Sequence, residues 1–106
     1  MGKEHKLMDE IRCELSRYGA KVFRGNVGRL FTADGRTVST GLPVGFSDLF
    51  GTLPGGRSFY IECKVKPNKP TKAQLDFITA LAGAGAATGV AYSVEEALEI
   101  CGISPN

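Results

Sequence analysis

Three charged residues near the middle of the chain, Asp48, Glu62 and Lys64, have the types and spacing that can act together on a water molecule. The segment 59–64 is rich in aromatic and branched residues, which predicts a strand. Side chains alternate between the two faces of a strand, so Glu62 and Lys64 share one face. The segment 53–57 is a turn signal, and the hairpin that it predicts brings Asp48 close to both of them.

Two carboxylates that converge beside a lysine suit hydrolysis assisted by a divalent cation. Mg²⁺ prefers oxygen ligands and is often held by one or two carboxylates together with a phosphate of the substrate. A water molecule bound to such a cation is a usable nucleophile, and a neighbouring lysine can orient it or help to deprotonate it. The alternative is a solvated Glu-Lys pair on an exposed strand, with Asp48 closing a turn, and these three residues alone would favour it.

The basic side chains are concentrated around these residues. The whole chain holds 13 Lys or Arg and 11 Asp or Glu, a net charge of only +2. Residues 17–75, however, hold ten basic side chains against three acidic ones, a net charge of +7. Such a region is typical of a surface that binds a polyanion. A solvated face on which basic residues cluster by chance is the alternative.

The remaining composition indicates one globular domain over residues 1–106, a size at which a single core is usual. Hydrophobic residues make up 42% of the chain and charged residues 23%, which is ordinary for a soluble protein. Cys13, Cys63 and Cys101 are widely separated, so free thiols in a reducing cytoplasm are expected rather than a zinc site. No signal peptide and no apolar run long enough to cross a membrane is present.

The hydrophobic pattern predicts the elements that would position the three charged residues. An amphipathic helix over 4–18 is expected to bury Leu7, Ile11, Leu15 and Tyr18, with Met8 on its flank. There follow a strand at 21–24, a glycine-rich loop at 25–45, strands at 46–52 and 58–65, a helix from Thr71, a strand at 88–92 and a helix ending at Ile100. The last two strands are joined through a helix, so they should be parallel. The predicted fold class is α/β, a small mixed sheet flanked by helices.

These elements and the residues on them resemble the PD-(D/E)xK nuclease fold and, more narrowly, the VRR-NUC (virus-type replication-repair nuclease) domain. The motifs that carry the resemblance are GFSDL at 45–49, YIECK at 60–64, Gln74 and GVAYSVEEA at 89–97, and FRGNVG at 23–28 also fits. The match runs from about Glu4 to Ile100, nearly the whole chain. The resemblance implies a restriction-endonuclease-like αβββαβ core with a C-terminal helix. Stand-alone copies of this size resemble those of bacteriophages and are similar to Holliday-junction resolvases.

The resemblance also implies roles for individual residues. Asp48 and Glu62 would ligate the metal ion, with the main-chain carbonyl of Cys63 as a third ligand. Lys64 would position the attacking water. Gln74 would support the site from the start of the following helix, where it also fits a capping box, and the two roles are compatible.

Glu4 corresponds best to the acidic residue that the first helix of this family carries. It lies two helical turns before Ile11 and therefore on the apolar stripe, whereas Glu10 lies well off that stripe. A frayed first-turn acid favoured by the helix dipole is the alternative for Glu4. The sequence departs from the pattern of the family at Ser47, which stands where proline is usual.

The predicted function is that of a Mg²⁺-dependent endonuclease, with Mn²⁺ as a substitute, that hydrolyses phosphodiester bonds in branched DNA. A homodimer is expected, because resolution of a two-fold symmetric junction needs two sites. The predicted DNA-binding residues are Arg24, Asn26, Arg29, Arg36, Lys66, Lys69 and Lys72. The expected location is the cytoplasm of a bacterium or of a phage-infected host. The alternatives are a monomeric nuclease of flaps or ends and a non-catalytic DNA-binding module of the same fold.

Overall fold

The predicted helices and strands follow one another in the predicted order, and an additional hairpin lies between the first two predicted strands. The computed structural model describes residues 2–25, 29–39 and 41–104. In chain order the elements are α1 Lys3–Arg17, β1 Lys21–Arg24, β2 Arg29–Phe31, β3 Thr37–Ser39, β4 Leu49–Thr52, β5 Ser58–Cys63, α2 Lys72–Gly83, β6 Ala87–Ala91 and α3 Val94–Ile100. The predicted αβββαβ core with a C-terminal helix is confirmed. Within the described ranges, no helix has the length and apolar character needed to cross a membrane.

The segment 25–45 differs from its prediction as a loop, because it contains the antiparallel hairpin of β2 and β3. Its turn includes Gly35, which has a φ of +87°, and the Thr32 N–H donates to the Arg36 carbonyl at 2.8 Å. The Asp34-Gly35 pair is a known turn signal, so the turn was visible in the sequence. The two strands could not be recognised in the sequence, because three residues on either side of the turn are too few to show an alternation.

The main sheet has four strands in the order β1-β4-β5-β6. β4 pairs antiparallel with β1 and β5, and β5 pairs parallel with β6, as the crossover through α2 requires. Leu49 lies opposite Ile61 in the β4–β5 hairpin. The next step of the same register sets Asp48 opposite Glu62, so the hairpin brings the two acidic residues together.

The hydrophobic core lies between one face of this sheet and the helices α1 and α3. Leu49, Phe59 and Ile61 project from the sheet into the core and are fully buried, and Leu98 of α3 packs in the same cluster. Burying one such side chain contributes about 1.5–3 kcal/mol. This face therefore fixes the strands against the two helices, whereas the other face of the sheet carries Phe50, Tyr60 and Glu62.

Helix α1 turns Met8, Ile11 and Leu15 toward the core. Leu7, which the sequence predicts to be buried in this row, is only partly buried. Met8, which is predicted on the flank of the row, is buried in its place. Glu4 lies four residues before Met8 and is half-buried on the same face, whereas Glu10 is exposed. The spacing of the row thus carries Glu4 toward the sheet.

Helix α2 packs against β5 and β6 on the opposite face of the sheet. An aromatic cluster fills the space between this helix and the strands, with ring centroids 4.8 to 6.4 Å apart, and its members are Phe46, Phe50, Tyr60 and Phe77. The cluster anchors the segment that leads into β4 against the start of α2. The two carboxylates of the hairpin lie next to it.

Candidate active site

Asp48, the residue before β4, is fixed by hydrogen bonds from two neighbouring segments. Its main-chain carbonyl accepts from the Gly25 N–H at 2.8 Å, and its carboxylate Oδ2 accepts from the Cys63 N–H at 2.9 Å. Ser47 is fully buried, and its hydroxyl donates to the Leu49 carbonyl at 2.9 Å. The serine therefore holds the approach to Asp48 by a hydrogen bond, at the position where the family pattern has proline.

Glu62 lies on the same face of β5 as Tyr60 and is only 1% exposed. The predicted alternation along this strand is confirmed, and the alternative of a solvated Glu-Lys pair is wrong for Glu62, because the first turn of α2 covers its side chain. Gln74 of that turn donates from Nε2 to Glu62 Oε1 at 3.0 Å. The other oxygen, Oε2, is buried without a hydrogen-bond partner among the described residues. A buried carboxylate oxygen in this state needs a proton or a cation.

Gln74 combines the two roles that the sequence left open. Its side-chain Oε1 accepts from the Thr71 N–H at 2.8 Å, and its own N–H donates to Thr71 Oγ1 at 3.2 Å, which completes a capping box. Its Nε2 group remains for Glu62. One residue thus begins the helix and orients the buried carboxylate, so the start of α2 and the site are built together.

Burial and the neighbouring carboxyl group strongly raise the pKa of Glu62. Burial is the largest cause that raises the pKa of Glu62, to about 9; the Asp48 carboxylate adds to it, because it can accept a hydrogen bond from the protonated acid and repels the ionised form. The positive charge of Lys64 opposes the shift in this pKa, and the negative charge of Glu4 adds to it. Three of the other predicted catalytic residues, Asp48, Lys64 and Glu4, therefore act electrostatically on Glu62, and Gln74 is hydrogen-bonded to it.

Glu4 approaches the site from α1. It lines, together with Asp48, a cavity of about 300 Å³ to which Gly2, His5 and Met8 also contribute. Glu10 does not line this cavity. The structure therefore brings Glu4, rather than Glu10, beside the two strand carboxylates.

A second cavity of about 470 Å³ opens on the other side of Asp48 and is lined by Gly25, Val44, Gly45, Phe46, Asp48, Thr71 and Gln74. Two of its glycines are needed for close packing. A Cβ at Gly25 would lie 2.2 Å from the Ser47 carbonyl oxygen, and one at Gly45 would lie 2.4 Å from the Ala73 carbonyl oxygen. Gly45 also has a φ of +92°. Both glycines lie in motifs that carry the resemblance, but nothing in the sequence indicated a role for either of them in packing at the site.

The donor atoms at the site are of the kind that a hard divalent cation takes. Asp48 and Glu62 supply carboxylate oxygens, one of which has no partner among the residues that the structure describes, and an oxygen set of this kind fits Mg²⁺ or Mn²⁺. The Cys63 thiol points into the core, and burial raises its pKa, so the thiol is not a ligand. No cluster of three His, Cys, Asp or Glu side chains suited to a metal occurs in the described part of the chain. The third ligand, the Cys63 carbonyl, stays a prediction.

The predicted DNA-binding residues differ in exposure and in ion pairing. Arg24, Lys66 and Lys69 are exposed. Arg36 is paired with Asp34 at 3.0 Å, and Lys72 with Asp76 at 2.8 Å. Asn26 lies outside the described residues, and of Arg29 the structure describes only its place in β2. Contact of this set with DNA stays a prediction.

A comparison with solved structures identifies a neighbour with this arrangement of elements. A structure described as a VRR_NUC domain superposes on 96% of this chain and 97% of its own with a TM-score of 0.67, at 22% sequence identity. No protein-family model matches the sequence, and no curated protein does. The similarity extends over both chains almost completely, so it includes the hairpin, the crossover and the helix that carries Gln74. The chain therefore has the fold of a VRR_NUC domain.

Proposed function

We propose that this chain is a metal-dependent endonuclease that hydrolyses phosphodiester bonds in DNA and resolves Holliday junctions as a homodimer. The observation that carries the proposal is the buried Glu62 carboxylate, held by Gln74 beside Asp48, with one oxygen that has no hydrogen-bond partner in the described part of the chain. A buried charge of this kind is costly for stability unless a positive charge compensates it. Binding of a cation at this site would compensate the charge of Glu62, which accounts for a buried carboxylate at this position.

The Asp48 and Glu62 carboxylates and the Cys63 carbonyl would hold the cation. When bound, Mg²⁺ or Mn²⁺ supplies positive charge at the attacked phosphate and makes a coordinated water more acidic. The N–H of Cys63 orients Asp48, and the amide of Gln74 orients Glu62. Because both carboxylates are held in advance, little reorganisation is needed during the reaction.

Lys64 and Glu4 complete the site from two sides. Lys64 follows β5, and its positive charge is near enough to oppose the rise in the pKa of Glu62. Its ammonium can therefore bind a phosphate oxygen and orient the attacking water. Glu4 faces the same space from α1 and can accept a hydrogen bond from that water. In-line attack then breaks the bond between phosphorus and the 3′ oxygen, which leaves a 5′-phosphate and a 3′-hydroxyl.

Junction resolution requires two opposed cuts, and one chain carries one such site. A two-fold dimer is the commonest way to pair two sites. It also sets two basic regions side by side, each with a net charge of +7 over residues 17–75. DNA binding should therefore weaken steeply with salt, with log affinity falling linearly with log salt concentration.

Cleavage of a labelled four-way junction, compared with a linear duplex of matched sequence, tests the proposal. We expect cleavage of the junction with Mg²⁺ or Mn²⁺, none with EDTA, and none by Asp48→Asn under any condition. Glu10→Gln, which removes an exposed acid on α1, is the control and should cleave normally. Cleavage in EDTA, or undiminished cleavage by Asp48→Asn, would contradict the proposal.

The size of the particle separates the proposal from its alternatives. Light scattering should give about twice the chain mass of 11.3 kDa. A monomer that cuts flaps or ends but leaves junctions intact would favour the monomeric nuclease. Tight junction binding without cleavage in any metal would favour a non-catalytic binding module.

A further inference from the structure

Phe23 on β1 is an exposed aromatic residue that the chemistry at the carboxylates does not use. It is 55% exposed, although it lies in a regular strand. Its ring packs against that of Phe50, with the centroids 5.8 Å apart. Phe23 is therefore the outer end of the aromatic cluster that extends through Phe50 and Phe46 to the cavity beside Asp48. Single exposed apolar residues are common, but this one continues an aromatic row into the site.

The register of the sheet fixes the distance between Phe23 and the site. Phe23 lies opposite Phe50, and Phe50 lies opposite Tyr60, so the three rings cross the sheet on one face. Asp48 precedes Phe50 by two residues and shares that face, about 7 Å further along the strand. Phe23 is one strand spacing to the side, about 5 Å. A strand of DNA with a phosphate at the carboxylates can therefore place an adjacent base at Phe23.

The charges beside Phe23 favour a polyanionic partner. Lys21 lies on the same face of β1 two residues before Phe23, and Arg24 follows it on the other face, at the end of the strand. Both are exposed, and β1 carries no acidic residue. An aromatic ring with basic residues on either side is the arrangement that binds a nucleotide, because the base stacks on the ring while the cations bind the backbone.

From these positions we infer that Phe23 stacks on an unpaired base of the nucleotide next to the attacked phosphate, while Lys21 binds the neighbouring backbone on the same face and Arg24 binds it at the edge of the sheet. The inference rests on the proposed nuclease function and adds a specificity determinant to it. Stacking on Phe23 requires a base that has left the duplex. The residue thereby favours DNA that is distorted at the cleavage position over continuous duplex.

A second copy of the chain is a less suitable occupant of this surface. β1 is an edge strand of the sheet, so two copies could pair through it. A symmetric antiparallel pairing of residues 21–24 would set Lys21 of each copy opposite Arg24 of the other. Like charges directly opposite one another destabilise a sheet. The same cations that oppose self-association attract phosphate.

Fluorescence of 2-aminopurine tests the inference in EDTA, where no metal-dependent cleavage intervenes. Two DNA duplexes carry the probe at one position, either as a single-base bulge or paired with thymine. We expect the protein to bind the bulged duplex at least about fivefold more tightly, the lower range of base–aromatic stacking, and to quench the probe. Phe23→Ala should lose both the preference and the quenching, and Phe23→Trp should keep them. Thermal unfolding verifies that each variant is folded.

Leu75→Ala is the matched control, because Leu75 is an exposed apolar residue on α2, 44% exposed, outside the aromatic cluster. It should keep the full preference for the bulge. A preference unchanged in Phe23→Ala would overturn the inference while leaving the nuclease proposal intact. A conversion from dimer to monomer on Phe23→Ala would also overturn it, because the surface would then be a contact between copies. Absence of DNA binding by the unaltered chain would overturn both proposals.

Discussion

A neutral replacement of Glu62 would test the electrostatics of the site independently of catalysis. Glu62→Gln keeps the shape of the side chain, and its amide offers an oxygen to Gln74 and an N–H to the Asp48 carboxylate. It thereby imitates the protonated form of Glu62, whose pKa is raised to about 9 by burial and by Asp48. In the absence of metal we expect this variant to be more stable than the unaltered chain at neutral and alkaline pH.

The magnitude follows from the proton that the folded chain retains. From the ordinary value of 4.5 up to about pH 9, Glu62 is ionised in the unfolded chain but protonated in the folded chain. The folded chain then binds one more proton, so the free energy of unfolding falls by about 1.4 kcal/mol for each pH unit. At about pH 7.5 the accumulated loss is about 4 kcal/mol. That is a large share of the roughly 5–15 kcal/mol by which domains are stable.

Urea unfolding in EDTA, at about pH 5 to pH 8, gives the free energy of unfolding of Glu62→Gln and of the unaltered chain. The other titrating groups contribute equally to both proteins, so they cancel in the difference. The difference should be less than about 1 kcal/mol at the acidic end and should grow by about 1.4 kcal/mol per pH unit in favour of Glu62→Gln. Glu10→Gln is the control, since Glu10 is exposed, and its curve should follow that of the unaltered chain. If the curves of Glu62→Gln and the unaltered chain run parallel, Glu62 does not retain its proton and the reasoning fails.

Addition of Mg²⁺ to the same samples should reverse part of the difference. A cation that binds the ionised Glu62 and Asp48 carboxylates stabilises the folded chain and displaces the proton, so its effect should increase with pH. Glu62→Gln has lost one carboxylate and should gain much less. Equal stabilisation of both proteins by Mg²⁺ would show that the ion binds elsewhere.

Three further substitutions examine other parts of the site. Lys64→Ala should lose most junction cleavage, because the lysine acts on water and phosphate, but thermal unfolding should still show its stabilisation by Mg²⁺. Loss of both the cleavage and this stabilisation would show that the role of Lys64 is structural. Glu4→Ala should slow cleavage more than Glu10→Ala in single-turnover assays, and the opposite ranking would show that another face of α1 meets the site. Gly45→Ala should destabilise the chain by about 1–3 kcal/mol in urea, because its φ is +92° and its Cβ would meet a carbonyl of α2. Gly35→Ala, also at positive φ but with open space around it, should cost less.

The sequence by itself determined the order of the elements and the partnership of the two strand carboxylates. Alternation along β5 placed Glu62 on the face opposite to that of Ile61 and Cys63. The turn between β4 and β5 set the register that brings Asp48 beside Glu62. Helical periodicity separated Glu4 from Glu10. These features are local, since each follows from a side-chain period or a turn within one element or one hairpin.

Only the tertiary structure decided that Glu62 is buried and that its pKa is raised. Alternation tells which face a side chain takes but not what covers that face, and α2 covers it from twelve residues further along the chain. The close approach of Gly45 to α2 and the exposure of Phe23 at the sheet edge likewise depend on how distant segments pack. Solvent exclusion and electrostatic coupling arise from neighbours in space, so a local sequence pattern cannot supply them.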